Sequence, residues 1–325
     1  MIVISTAIAL IVFVLVMVRY FNRIGNAVDK TISDSYYHHK HKNKIIYSPM
    51  GNWFELGYKE ISADPSTFTV LTREFGKDKD SIFWKGIEQT VDHGSFVIDE
   101  NGIPKDAFYV YYDKGYQSQL TIIEDADPAS FKPYKLPHET FNQQWARDNK
   151  AIYLYGRKVD ADVNTFVRIN QSLAADSKAI YAILYDYSTQ AGTAETNTKV
   201  VRQAQRPIGN PESINDFYAR IGNTIVHANW KNPFSSLEFE VIHTISLIDK
   251  RNIVVNDVLI SDGKMIKGVD INTLEIISRE LLKDKTNVYY DKEKIEGADV
   301  TTIASVSEFY SKDKNAVYYK TQRLK

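Results

Sequence analysis

Aspartate recurs along this chain in two settings, and either could do chemistry. An AD-type signature, Asp followed at the third and fourth positions by Ser/Thr and an apolar residue, stands at Asp64, Asp92, Asp127, Asp162, Asp270 and Asp299. A KD-type signature stands at Asp78, Asp106, Asp148, Asp176, Asp249, Asp284 and Asp313. Asp78-Lys79-Asp80 and Asp313-Lys314-Asn315 place oxygen atoms at i and i+2, as calcium loops do. Yet Phe83 stands where such a loop needs glycine, and a lysine between the oxygens opposes a cation. Turn capping accounts for the same residues, because Asp and Asn bond their own backbone in tight turns. Paired carboxylates of the glycosidase kind would not recur once per unit, which is the pattern of a structural role. His38-His39-Lys40-His41 could hold a divalent metal; as part of a polar, cationic stretch it reads as solvated linker. His93, His138, His227 and His243 show no ligand spacing. Phosphate-binding loops, a nucleophile elbow and a zinc-protease helix are all absent from the sequence. Without cysteine there is no thiol nucleophile and no thiolate metal site. The expectation is a protein with no metal, no cofactor and no catalytic residue.

The elements that carry these aspartates form an internal repeat. The AD aspartate precedes the KD aspartate by 14 residues in five pairs, and by 21 between Asp127 and Asp148, so the unit is 28 residues long. On that ruler Met50 and Ile221 mark eroded units, and nine units run from 47 to 320. Four residues after each KD position stand Phe54, Ile82, Val110, Ile152, Ile180, Ile225, Ile253, Val288 and Val317, mostly β-branched, as a core-facing strand position requires. The next column is mostly aromatic and points to the other strand face. Each KD signature is therefore expected in a hairpin turn between two short strands. Each AD signature is expected to cap one short helical turn whose fourth residue (Phe68, Phe96, Phe131, Phe166, Leu274, Ile303) is an apolar peg. No unit could bury its apolar face alone, so neighbours must stack. The fold expected is mainly β, an array of β-hairpin repeats with short helical turns. A solenoid-like stack or a propeller-like ring both fit, with preference for the open stack. The low-complexity stretch Thr189–Thr198, inside the 183–212 insertion, suggests a joint at 190–212.

Residues Ile2 to Val18 lack charge and are long enough to cross a bilayer as a helix. No basic segment precedes them and no small-residue cleavage site succeeds them, which argues for an uncleaved anchor over 1–21. The lipid bilayer is then the first partner expected. Arg19 and Arg23 favour a cytoplasmic position for the C-terminal body, although the side stays open. Residues 22–46 lack periodicity and read as a polar tether, ahead of a repeat domain over 47–325. A net charge of −1 argues against a nucleic-acid partner, which calls for a basic face.

Asp313-Lys314-Asn315-Ala316-Val317-Tyr318-Tyr319 and Asp284-Lys285-Thr286-Asn287-Val288-Tyr289-Tyr290 carry a resemblance to the DKNYY family of bacterial proteins. It covers roughly 47 to 320; the units at Met50 and Ile221 depart from it by lacking the turn aspartate. The resemblance implies a largely envelope-associated protein and supplies no catalytic residue. The functional expectation is a non-enzymatic binding or scaffold module at a bacterial membrane that acts through its repeat surface, its partner a protein or a glycan. The alternative is a cell-wall or glycan-binding module that stacks sugars on a tyrosine row of Tyr111, Tyr153, Tyr181, Tyr289 and Tyr318. An enzyme would show one pocket where repeat symmetry breaks, near 183 to 245.

Overall fold

The structure is a computed structural model that describes residues 11–17, 24–113, 119–137, 139, 145–185, 198–229 and 234–324. Its described residues build eight four-stranded antiparallel sheets and two two-stranded ones, each sheet a simple meander in chain order. The two small sheets are joined by an isolated bridge between Lys105 and Val110 and occupy the third repeat.

The second repeat shows how the unit is made. Its strands are Thr69–Val70, Phe75–Lys77, Ile82–Trp84 and Ile87–Gln89. Lys77 pairs with Ile82, so the four residues Asp78 to Ser81 form the hairpin loop, as expected of the KD signature. The next connection is Lys85-Gly86, with φ of 50° and 68°. Two successive positive φ values give the mirror-image turn whose twist matches that of the strands it joins. Tyr155-Gly156 and Asp291-Lys292 repeat this device.

The third strand is buried on both faces: Ile82, Phe83 and Trp84 are each 1% exposed. Phe83 joins a core with Tyr36, Ile45, Tyr47 and the peg Phe68 from the preceding side. Ile82 and Trp84 join Phe75, the next peg Phe96 and Tyr111 on the other side. Each buried side chain of this size stabilises by roughly 1.5–3 kcal/mol, and no single sheet could collect it alone.

The chain divides into two compact bodies, the first ending at Val159 and the second beginning at Asp160. This division falls elsewhere than the joint suggested at 190–212. Tyr185 pairs with Thr198 within one sheet, so the low-complexity stretch links two neighbouring strands of the fifth repeat.

Residues 22–46 are no tether from Ile24 onward, contrary to the expectation from their polarity. Gly25–Ala27, Tyr36–His39, Ile45–Tyr47 and Lys59–Ile61 make the first sheet. Tyr36 and Ile45 are wholly buried there, and the surrounding polar residues hide the pattern. The first repeat's hairpin loop is Lys40 to Lys44, not the region of Met50. Pro49–Gly51 and Trp53–Leu56 are short helical inserts before the fourth strand. Asp249 likewise lies between the first two strands of its sheet, Ile245–Leu247 and Asn252–Val255, rather than the second and third. Residues 11–17 are helical. Among the described residues no helix is long and apolar enough to cross a membrane, and most of Ile2–Val18 lies outside them.

Candidate functional site

Six of the seven KD aspartates meet their AD turns in one recurrent network, which a tyrosine joins in five of the six copies. In the fourth repeat, Asp148 Oδ1 accepts the backbone N–H groups of Lys150 and Ala151, both at 2.7 Å, which closes the hairpin loop. Its Oδ2 accepts the backbone N–H of Asp127 at 2.9 Å and the Tyr153 hydroxyl at 2.8 Å. The KD aspartate thus ties its own loop to the AD turn at the start of the same repeat. The bond to the AD backbone recurs at Asp78, Asp106, Asp176, Asp284 and Asp313.

The AD turn returns the tie. Asp127 Oδ1 accepts the N–H of Ala129, and its carbonyl accepts that of Phe131. The Ser/Thr of the signature accepts the N–H of the residue after the KD aspartate. Thr67 does so from Lys79, Ser95 from Ala107, Ser130 from Asn149, Thr165 from Ser177, Thr273 from Lys285 and Thr302 from Lys314. At Asp270 the turn is a 3₁₀ helix, Ile271–Thr273, capped by the Asp270 side chain. Fixed peptide N–H groups on a small carboxylate explain why glutamate never stands in the KD column: one extra methylene would push the oxygens past both donors.

Electrostatics arise from this geometry. Burial pushes the Asp148 carboxyl up, but the N–H groups of Asp127 and Lys150, the Tyr153 hydroxyl and the Ala151 N–H more than offset it. The result lies below the ordinary carboxylate value, as the same balance does at Asp106 and Asp176. Asp284 is lowered to about 2 against burial, by the N–H groups of Asp270, Thr286 and Asn287. Tyr181 is pushed up to about 12, first by burial and then by its bond to Asp176.

The five tyrosines expected as a binding row are placed by the structure inside the molecule. Tyr111 and Tyr289 are 4% exposed, Tyr181 2%, and Tyr153 and Tyr318 0%. Their hydroxyls bond Asp106, Asp148, Asp176, Asp284 and Asp313, five residues earlier in each case. They form no exposed face: the aromatic column is one half of the tie between loop and turn.

His38 and His39 lie on a strand of the first sheet, where His39 Nδ1 accepts the N–H groups of His41 and Lys42. That imidazole does the loop-closing work of an aspartate. Among the described residues no group of three or more His, Asp or Glu is arranged to hold a metal ion. His138 lies outside the described residues.

Two features escape a reading of the sequence. His227 is 1% exposed, and neither ring nitrogen has a hydrogen-bond partner. Burial lowers its pKa to about 4, with Asp262 opposing and Lys292 and Arg251 adding to the effect. The column it occupies is the clue, since the other repeats place an apolar or tyrosine side chain there. The second feature is where symmetry breaks. A wide, open depression of about 650 Å³ does lie within 183–245, against Gln205, Ile208 and Phe239. A more enclosed cavity of about 280 Å³ opens instead at the divided third repeat, between Phe75, Trp84, Tyr111, Tyr112, Phe131 and Trp145.

In comparisons with known proteins, the model of the DKNYY family matches residues 103–322, more than half of the chain. No curated protein and no solved structure matches.

Proposed function

The chain belongs to the DKNYY family, and on that footing we propose that it is a non-enzymatic binding or scaffold module, tethered to a bacterial cell membrane by Ile2–Val18. One observation carries this reading. The six KD aspartates of the network and their tyrosine partners are buried or half-buried and bonded to each other and to the repeat's own backbone, and the Ser/Thr hydroxyls of the AD turns, though nearer the surface, are engaged by that backbone as well. What distinguishes one repeat from another is its outer surface, where apolar residues such as Phe108, Val167, Val241 and Leu247 are exposed. An array with a uniform skeleton and a varied surface suits the engagement of a partner protein over several repeats. The glycan-binding alternative loses the tyrosine row on which it rested.

The test is site-specific photocrosslinking in cells, from probes placed singly at Phe108, Val167, Val241 and Leu247. The proposal expects one partner protein captured from more than one repeat. Crosslinks that capture nothing above a probe-free control would overturn it. The anchor is tested separately, by protease access to a C-terminal tag in whole cells and spheroplasts. Arg19 and Arg23 predict a tag that is protected until lysis. Recovery of the intact protein in the soluble fraction would remove the membrane from the proposal.

A further inference from the structure

We infer that the cavity of the third repeat is a binding site for an organic cation, and that Lys85 already holds the cation position at its rim. The inference goes beyond the scaffold proposal and stands without it.

The cavity exists because of a local departure from the repeat. In the second repeat the third and fourth strands are joined by the two residues Lys85-Gly86. In the third repeat Tyr112 pairs with Thr121, so eight residues replace two, and the second and third strands meet only through the Lys105–Val110 bridge, so that the sheet is divided. The outer face of the second repeat is then incompletely covered. Phe75, Trp84, Tyr111, Tyr112, Phe131 and Trp145 line the space of about 280 Å³ that results. Trp84 and Trp145 are only 1% and 2% exposed, so these walls are held by the core and not by loops.

The rim supplies the charge. The two charged residues among those lining the cavity, Glu74 and Asp113, are both acidic. Lys85 Nζ stands 3.6 Å from Glu74 and 3.2 Å from Asp113. The same ammonium lies 4.3 Å from the centroid of the Trp84 ring. A cation on an aromatic face between carboxylates is the arrangement by which proteins hold alkylammonium groups. Here the protein's own side chain already stands between the two rim carboxylates, against a tryptophan ring that also lines the cavity. The Lys85 backbone is pinned by the turn, its N–H bonded to the Glu74 carbonyl at 2.8 Å. Its side chain can yield the position to a competitor. An ammonium or quaternary ammonium with a flat or branched apolar body would take both the rim and the cavity. A neutral sugar would bring hydroxyls to walls with few partners for them, and an anion would meet two carboxylates.

Benzyltrimethylammonium, titrated against the full chain and read by tryptophan fluorescence, is the probe. A saturable change is expected, with benzyl alcohol binding at least tenfold more weakly. Glu74→Gln and Asp113→Asn alter partly exposed rim residues and should each weaken binding about tenfold while circular dichroism is unchanged. Lys85→Met is the decisive variant: with the internal competitor gone, binding should tighten severalfold, whereas loss of a residue that merely braced the site would weaken it. No saturable change, equal binding of benzyl alcohol with indifferent rim variants, or saturation by N-acetylglucosamine instead would each overturn the inference.

Discussion

Replacing Asp148 by alanine takes one acceptor from four donors, with the Tyr153 hydroxyl keeping a long bond to the Asp125 carbonyl at 3.4 Å. The N–H groups of Asp127, Lys150 and Ala151 and the Tyr153 hydroxyl lose their acceptor at a residue only 1% exposed. A hydrogen bond to a charged group contributes roughly 1.5–3 kcal/mol, and a buried donor left unpaired costs about 1–3 kcal/mol. The four share one carboxylate and do not add, and water reaches the loop once the side chain is gone. We therefore expect a loss of about 4 kcal/mol for Asp148→Ala. Asp148→Asn is the sharper probe. Its oxygen can still close the loop onto Lys150 and Ala151, but its amide nitrogen then faces the Asp127 N–H, donor against donor. The Tyr153 hydroxyl can turn to accept, so about half the loss is expected, about 2 kcal/mol. Tyr153→Phe should cost about 1 kcal/mol. Combined with Asp148→Asn it should cost less than the sum of the two, because the side chains bond each other. Urea unfolding followed by circular dichroism and tryptophan fluorescence reads the whole series. An alanine variant within about 1 kcal/mol of the parent would refute the claim that this carboxylate ties loop to turn.

Acid should loosen the array through these same aspartates. Their folded pKa values lie below the ordinary range, that of Asp284 at about 2, so the stabilisation is present above about pH 4 and is lost as pH falls toward 2. An acid titration of stability that is flat from about pH 5 to 2 would contradict the network. His227 adds a second window with the opposite charge type. Its pKa falls from 6.5 to about 4 on folding, so the unfolded chain binds the proton first and stability declines between those values, by up to about 3 kcal/mol. His227→Leu should flatten that interval and raise stability at neutral pH, since both unpaired nitrogens disappear; unchanged pH dependence would be evidence against it. Gly263 has φ +73°, and a Cβ there would stand 1.9 Å from Ser235 Oγ and 2.6 Å from His227 Nδ1. Gly263→Ala should therefore cost about 3 kcal/mol or more. Gly102→Ala, at φ +77° with nothing within 4 Å, should cost only the backbone strain of about 1 kcal/mol. Equal melting temperatures for the two variants would dispose of the clash argument.

The repeat is legible wherever one residue type has one job. Asp284 and Asp313 recur because a short carboxylate must meet two consecutive N–H groups, and Phe131 or Phe166 recurs because one peg fits between neighbouring sheets. The pattern misleads where another residue takes over the job. His39 closes the first loop with an imidazole, so the 28-residue ruler points to Met50 and a buried strand reads as a tether. Asn256 accepts the His243 N–H as a KD aspartate would accept that of its AD turn, while Asp249 with its matching spacing caps a different turn.

The tyrosine column shows where a single sequence stops. Alternation puts Val317 and Tyr318 on opposite faces of a strand, and that much is a property of the extended chain. Whether a face meets water or another sheet is not local. Tyr318 is 0% exposed because the eighth repeat supplies Leu281, Val288 and Tyr290 to cover it, while Val317 and Tyr319, one step away on the same strand, are 43% and 36% exposed. Strands, turns and their 28-residue period were already written in the order of residues, because each depends on neighbours close along the chain. Which side chains are left facing solvent had to wait for the assembled sheets, because burial depends on what the next sheet brings.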